Sequence, residues 1–376
     1  MERIGVFGGS FDPVHNEHVN MAVAAMKIFS LDRLIVMPTF ISPHKKGIDL
    51  APAASRFDML KIAFGDVKNA EVSDYEIKKE GVSYTCLTLE YLKNLYGGDL
   101  YFLLGTDMLA DLPLWREPEK ILSLCTPVVT PREGEDLASA LSSFYDSFRS
   151  KPLVSSYCGK NLSSTKIRNL ITLGLPTEGL LDGRVARYIK ERGLYDGGEY
   201  AYAAKYVAEN EKTSRLYHTA GVMTLAERYA KRLGVSERKA RLAAMLHDVA
   251  KYRRFEDYGV DSPEGVPENV VHQFLGAYVC ENVLGIKDGE ILDAVRYHTT
   301  GRARMTDLER IIFIADLLEE GRDFAGVERL RKLVDDDFDN GFKICVSELM
   351  GFLRKTLFKK DIYYLSEECL EYYCKK

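Results

Sequence analysis

The hydrophobic pattern of this 376-residue chain changes once, at Asp196-Gly197-Gly198, and that change constrains the fold more than any other feature. Before it, apolar runs recur at residues 3–7 (Arg-Ile-Gly-Val-Phe), 34–37, 100–104 and 127–130, and more weakly at 153–154, with helical stretches between several of them. Short apolar runs without polar alternation read as strands buried on both faces. Strands that alternate with helices build a parallel sheet covered by helices on each side. In the helical stretch 17–29, Val19, Ala22, Val23 and Met26 share one face. After the glycine pair almost no strand pattern remains. Apolar stripes at helical spacing take over, as in Leu242-Met245-Leu246-Val249 and Ile311-Ile314-Ala315-Leu318. The expectation is an α/β domain over residues 1–197 followed by an all-α domain over residues 199–376, each large enough for its own core. The tail, residues 363–376, is rich in Tyr and Glu and reads as a packed terminal helix.

Composition narrows the setting. With 46% hydrophobic and 28% charged residues the chain is ordinarily globular, and a net charge of −5 argues against bulk binding of nucleic acid or an anionic membrane while leaving room for local phosphate sites. Met1-Glu2-Arg3 is followed at once by an apolar strand, so no leader is expected, and no apolar run approaches the ~20 residues that cross a bilayer. The cysteines at 86, 125, 158, 280, 345, 369 and 374 show neither disulfide nor thiolate-zinc spacing, which points to a reducing cytoplasm. Histidines fall into two groups, 15, 18 and 44, then 218, 247, 272 and 298, as if two chemistries shared the chain.

In Gly8-Gly9-Ser10-Phe11-Asp12-Pro13-Val14-His15-Asn16-Glu17-His18 a strand ends, glycines permit a tight turn and a helix begins. Free amides and the positive end of the helix dipole then face the space above the sheet, where open α/β sheets take ligands. His15 and His18 lie one helical turn apart and can address one phosphate; the plain alternative is a tight turn carrying two surface histidines. Further on, Ser163-Ser164-Thr165-Lys166-Ile167-Arg168 puts three hydroxyls in the first turn of a helix and cations just behind them, either an ordinary N-cap or a second anion site.

Together these segments resemble the nucleotidyltransferase superfamily with the His-x-Gly-His signature, and most closely the bacterial nicotinate-mononucleotide adenylyltransferases, which implies a Rossmann-like sheet. The resemblance runs from Arg3 to about Asp196 and takes in Pro43-His44-Lys45, Ser83-Tyr84-Thr85, Gly105-Thr106-Asp107, Trp115 and Pro131-Arg132. It implies that ATP and nicotinate mononucleotide are the substrates and that Mg2+ leaves with pyrophosphate. Catalysis is then positioning and charge stabilisation without a protein nucleophile. His15, His18, Lys45 and Arg168 would act on the phosphates. Gly8, Gly9, Ser10, Asp12, His44, Gly105, Asp107, Arg132, Ser163, Ser164 and Thr165 would line the nucleotide sites, with Tyr84, Thr85 and Trp115 beside the nicotinate. For Trp115 core packing is an equal alternative. Glu17 stands where the signature has glycine; it is expected to face outward from the helix rather than toward the triphosphate.

The second half offers His218, His247-Asp248, His272, His298 and Asp316. A lone helical histidine is usually structural, but Asp316 interrupts the apolar run Ile311-Ile312-Phe313-Ile314-Ala315, and a buried carboxylate is costly unless paired or metal-bound. Imidazoles and carboxylates without thiolates suit iron, manganese or zinc, and six ligands exceed the need of one tetrahedral ion. The order His…His-Asp…His…His…Asp, with Arg215-x-x-His218, Lys251, Tyr297-His298-Thr299-Thr300-Gly301, Glu319 and Arg322 around it, resembles the HD superfamily of metal-dependent phosphohydrolases, and within it the YqeK-type diadenosine tetraphosphate hydrolases. The resemblance implies two transition-metal ions, iron above all, bridged by Asp248, with His218, His247 and Asp316 on one and His272 and His298 on the other. It also implies symmetrical cleavage to two ADP, with Lys251 and Arg322 on substrate phosphate, or else as solvated helix residues. The rival reading is a nucleotide-binding or weakened transferase module, with Glu17 as its defect, joined to a mononucleotide nucleotidase. Oligomeric state is left open.

Overall fold

Six strands, β1 (Arg3–Gly9), β2 (Arg33–Pro38), β3 (Ala70–Val72), β4 (Asp99–Gly105), β5 (Cys125–Thr130) and β6 (Leu153–Val154), form one sheet in the order β3-β2-β1-β4-β5-β6. Every pairing is parallel. The computed structural model describes residues 1–41 and 50–374, which divide into two units: Met1–Arg168 with Thr177–Tyr195, and Asn169–Pro176 with Asp196–Lys376. His44 and Lys45 lie outside the described residues.

The apolar runs are buried because both faces of the sheet are covered. Ile4, Val6, Leu34, Ile35, Val36 and Met37 are all nearly inaccessible, and each contributes roughly 1.5–3 kcal/mol of burial. Leu89 and Leu92 of helix Thr85–Tyr96 and Phe144 of helix Leu137–Phe148 complete one side of this core. The short edge strand β3, Ala-Glu-Val, has no apolar run and escapes sequence reading. Helix Asn16–Ile28 sits one position away from the expected face: Met21, Ala22 and Ala25 are buried, whereas Val19, Val23 and Met26 are only half-buried. Strand order reverses between β1 and β4, and such a reversal opens a crevice at the carboxyl ends of the strands.

The second unit is helical; among the described residues no strand follows Val154. Helix Thr213–Leu233 packs on helices Glu237–Leu246 and Asp307–Leu318, and helix Glu268–Asn282 packs on Gly289–Arg296. Both expected stripes are buried. The tail forms helix Tyr364–Cys374, whose Leu365, Cys369 and Leu370 pack inward. No helix among the described residues is long and apolar enough to cross a membrane, and all seven cysteines are free thiols.

Candidate functional site

In the first unit several of the expected residues follow the carboxyl ends of strands: Ser10, Asp12 and His15 after β1, Asp107 after β4 and Arg132 after β5. The loop after Gly9 is held from beneath by Arg56, 1% exposed, whose guanidinium donates to the carbonyls of Ser10 (2.8 Å), Thr39 (2.7 Å), Ala51 (3.0 Å) and Phe40 (3.1 Å). Burial lowers the pKa of that guanidinium. The buried Asp12 accepts from the Ala51 amide at 3.0 Å and the Tyr195 hydroxyl at 2.7 Å. Neither Arg56 nor Tyr195 was foreseen, because a charged residue on helix Ala53–Phe64 and a tyrosine after Leu194 look like surface in sequence.

His15 precedes helix Asn16–Ile28 and its backbone amide donates to Nδ1 of His18 at 3.2 Å; the two rings stack with centroids 3.6 Å apart. His15 is 4% exposed, and burial, followed by the charge of Arg132, pushes its imidazole down to about 3. Its Nδ1 is buried with no hydrogen-bond partner among the described residues. An uncharged imidazole with an unused polar atom at a helix N-terminus is suited to a phosphate oxygen. Gly105, at the end of β4, has no room for a side chain: a Cβ there would lie 2.7 Å from Oδ1 of Asp107 and 3.4 Å from Nη2 of Arg132.

The second hydroxyl-rich segment docks on the first loop. Ser164 Oγ donates to the Pro13 carbonyl at 2.9 Å, and Arg168 donates to the Asp12 carbonyl at 2.9 Å and to Thr165 Oγ1 at 3.1 Å. Ser163 Oγ accepts from the Lys166 amide at 3.2 Å, as an N-cap side chain does. Tyr84 and Trp115 pack against the sheet core, Trp115 edge-on to Phe102, while the Arg116 guanidinium lies 4.6 Å over the Tyr84 ring. Thr85 opens helix Thr85–Tyr96. One expectation is corrected. Glu17 does not face outward: it is 9% exposed, and its carboxylate accepts from Tyr157 Oη, the Lys160 amide and Asn20 Nδ2, each at 3.0 Å. Two of those donors, Tyr157 and Lys160, come from a loop far along the chain and outcompete solvent for a side chain that helical position alone would leave exposed.

In the second unit five helices deliver the six expected ligands to one place. His218 Nε2 lies 3.0 Å from Asp316 Oδ1 and 3.3 Å from His247 Nε2, and His247 Nε2 lies 3.4 Å from Asp248 Oδ2. On its other oxygen, Asp248 Oδ1 is 3.4 Å from His272 Nε2 and 3.5 Å from His298 Nε2. Atoms bound to one ion at ~2.0–2.2 Å stand about 3–3.5 Å apart, so two groups meet the spacing a metal requires, with Asp248 common to both. Asp248 Oδ1 and His298 Nε2 are buried without hydrogen-bond partners among the described residues; the Lys251 ammonium stands 3.6 Å from that oxygen, and a metal ion would satisfy both atoms. Burial alone would raise the Asp248 carboxyl; His247 and His298 outweigh it and hold it well below the usual carboxylate range. Burial, then the charges of His298 and Lys251, push His272 down to about 3, leaving a neutral imidazole. These residues fit a pair of divalent ions.

The surroundings fix the donor atoms. His247 and His298 turn Nδ1 to the carbonyls of Ala244 (2.7 Å) and Val295 (2.8 Å), which leaves each Nε2 facing Asp248. His218 turns Nδ1 to Glu319 Oε1 at 3.0 Å. Gly221, one turn after His218, makes that approach possible, since a Cβ there would collide with the Glu319 carboxylate. Lys251 Nζ donates to His272 at 2.9 Å and stands 3.6 Å from Asp248. Arg322 is paired with Asp316 at 2.5 Å, and Arg215 with Asp248 Oδ2 at 3.0 Å. A cleft of about 300 Å³ opens beside the cluster, lined by Ser214, Arg215, Tyr252, Gly321 and Arg322 together with His218 and Glu319. Arg215 and Glu319 stood in the flanking motif without a role; only their three-dimensional placement supplies one.

Comparison with known proteins finds two families along the chain. Residues 6–170 match the cytidylyltransferase-like family and residues 215–321 the HD domain. The "Probable nicotinate-nucleotide adenylyltransferase/Ap4A hydrolase" of Mycoplasma genitalium is 28% identical over 366 residues, 94% of this chain and 99% of its own length. The "Probable nicotinate-nucleotide adenylyltransferase" of Thermotoga maritima is 38% identical over 204 residues, 52% of this chain and 93% of its own. Among solved structures, a predicted HD superfamily hydrolase involved in NAD metabolism from Clostridium acetobutylicum is 30% identical, with a TM-score of 0.42 over 47% of this chain and 97% of that one.

Proposed function

Because this chain belongs to the nicotinate-nucleotide adenylyltransferase family and carries an HD domain on the same polypeptide, we propose that it is a bifunctional enzyme. Residues 1–197 transfer the adenylyl group of ATP, delivered with Mg2+, to nicotinate mononucleotide: an oxygen of the mononucleotide phosphate bonds to the α-phosphorus as the bond to pyrophosphate breaks. Residues 199–376 hydrolyse diadenosine tetraphosphate symmetrically, water adding at one of the two central phosphorus atoms to give two ADP. The observation that carries this reading is that each unit holds its own ligand set, of opposite electrical character.

In the transferase half the neutral His15 offers a hydrogen bond without a desolvated charge, while the fixed Arg168 would supply positive charge where negative charge develops on the phosphates. That Glu17 is engaged by Tyr157, Lys160 and Asn20 supports a working site rather than a disabled one. In the hydrolase half, His218, His247, Asp248 and Asp316 would hold one ion and Asp248, His272 and His298 the other, iron being suited to this nitrogen and carboxylate set. Such ions, when bound, supply Lewis acidity to phosphoryl oxygens and to water. Arg215 and Arg322 flank the cleft where a polyphosphate chain fits, and Tyr252 offers adenine a stacking face. The seven free thiols support a reducing cytoplasm as the setting.

The test is to purify the protein anaerobically, count its metals and assay both reactions on one sample. About two ions per chain, pyrophosphate release dependent on nicotinate mononucleotide, and ADP as the sole product from diadenosine tetraphosphate are expected. AMP with ATP as products would overturn the symmetrical assignment, and ATP binding without pyrophosphate release would overturn the transferase.

A further inference from the structure

Glu17 occupies a position for which the transferase reading supplies no role, and its surroundings give it one. Its carboxylate is buried, and two of its three donors converge on a single oxygen: Oε2 accepts from Tyr157 Oη and from the Lys160 backbone amide, both at 3.0 Å, while Oε1 accepts from Asn20 Nδ2. The residue between those donors, Gly159, is pressed against it. A Cβ at Gly159 would lie 3.3 Å from Oε2 and 3.7 Å from Cγ of Arg132, closer to the carboxylate than nine in ten side chains come to a neighbour. Gly159 also extends the sheet, its amide donating to the Pro131 carbonyl and its carbonyl accepting from the Glu133 amide, both at 2.9 Å. Residues 157–160 are therefore fixed on one side to Glu17, on the helix that His15 and His18 open, and on the other to the segment that bears Arg132. Three residues later the same loop becomes the 163–168 cradle, itself bonded to the Asp12 and Pro13 carbonyls.

We propose that Glu17 is a positioning residue for adenylyl transfer: its carboxylate clamps residues 157–160 and so sets Arg132 and the 163–168 cradle relative to the histidine pair. It touches no reacting atom. The clamp rests on the transferase reading for its consequence, but its geometry is independent of that reading. On the Glu17 side this clamp has a simple chemical requirement, an oxygen at the Oε2 position and not a negative charge. Glu17→Gln keeps that oxygen, with its amide nitrogen turned to Asn20, whose own amide can rotate to accept. Glu17→Gly, which restores the residue of the usual signature, removes it.

The experiment measures steady-state transferase kinetics and amide hydrogen exchange on the full-length protein. Glu17→Gly is expected to raise the KM for ATP-Mg about tenfold and leave the KM for nicotinate mononucleotide within twofold. The Lys160 amide should exchange at least tenfold faster. Glu17→Gln should match wild type in all three, and Tyr157→Phe, which deletes one of the two bonds to Oε2, should fall between. Hydrolysis of diadenosine tetraphosphate by the same samples should be unchanged and so reports intact protein. If Glu17→Gly and Glu17→Gln both tighten ATP, the carboxylate acts by repelling the triphosphate and the clamp is overturned. A wild-type KM for ATP in Glu17→Gly, or an equally protected Lys160 amide, overturns it as well. A wild-type protein that forms no dinucleotide would instead sink the transferase reading, with the exchange data still deciding whether the clamp exists. Should Glu17→Gly fail to fold, Tyr157→Phe with unaltered KM for ATP and unaltered exchange overturns the proposal alone.

Discussion

Replacing Asp248 by asparagine should convert a two-ion centre into a one-ion centre, and the asymmetry follows from what surrounds each oxygen. Oδ2 faces the Arg215 guanidinium at 3.0 Å, a donor that only an oxygen can satisfy. In the asparagine variant the amide oxygen must take that side, so its NH2 group turns toward His272 and His298, where Oδ1 had stood 3.4 and 3.5 Å away. An NH2 group has no lone pair to offer a cation, and the second site loses its carboxylate outright. The first keeps His218, His247 and Asp316 with a neutral oxygen in place of a charged one. Loss of an outer partner alone costs about 10–100-fold in metal affinity, so removing a direct ligand should exceed 10²-fold at the second site. Metal analysis on anaerobically purified protein should fall from about two ions to one per chain, and diadenosine tetraphosphate hydrolysis by at least about 10²-fold. Asp248→Ala should fold less well, because it strands a largely buried guanidinium at a cost of about 3–5 kcal/mol. Adenylyl transfer on the same samples serves as the internal control. An Asp248→Asn protein that retains two ions, or hydrolyses within tenfold of wild type, would show that Asp248 does not join the sites.

Three further outcomes can be checked. Gly221→Ala should weaken metal binding about 10–100-fold although it changes no ligand, because the added methyl displaces Glu319 from His218; unchanged metal content in that variant would remove Glu319 from the centre. His15 in the folded chain binds a proton only near pH 3, so between that pH and ~6.5 the unfolded chain holds more protons and folding weakens as pH falls, by up to roughly 1.4 kcal/mol per unit. Urea unfolding of the first unit, followed through the single tryptophan Trp115, should lose about 1.4 kcal/mol more from pH 7.5 to 5.5 in wild type than in His15→Gln; parallel slopes would refute the neutral imidazole. Arg56→Met should destabilise the same unit by about 3–5 kcal/mol, since it leaves the carbonyls of Ser10, Thr39, Ala51 and Phe40 without their donor, and a cost below 1 kcal/mol would mean that the loop holds itself.

What could be read from the sequence depended on whether a residue's role is local. The four stronger apolar runs became β1, β2, β4 and β5, because a strand buried on both faces shows itself by composition alone. β3 could not, since Ala-Glu-Val at a sheet edge buries too little to leave a pattern. The six candidate ligands were legible because histidine and aspartate within or just after apolar helices have few other reasons to be there. Arg56, Tyr195 and Glu17 were illegible or misread for the opposite reason: each is a polar residue with an ordinary sequence context, and its partners lie 3 to 183 residues away.

Histidine does opposite work in the two units, and its neighbours decide which. Around Asp248, His247 and His298 give Nδ1 to a backbone carbonyl and His218 turns Nδ1 to Glu319, so the nitrogen directed inward is a lone-pair donor among carboxylates. A phosphate placed there without cations would meet Asp248 and Asp316. At His15 the nearby charge that bears on the imidazole is the Arg132 guanidinium, which disfavours protonation and would equally repel a divalent ion. An anion there would meet an uncharged ring, a helix N-terminus and an arginine, Arg168, whose own partner is the buried Asp12 carboxylate, 3.7 Å away. On the proposed reading, the same side chain would serve a metal where carboxylates surround it and a phosphate where a guanidinium stands beside it.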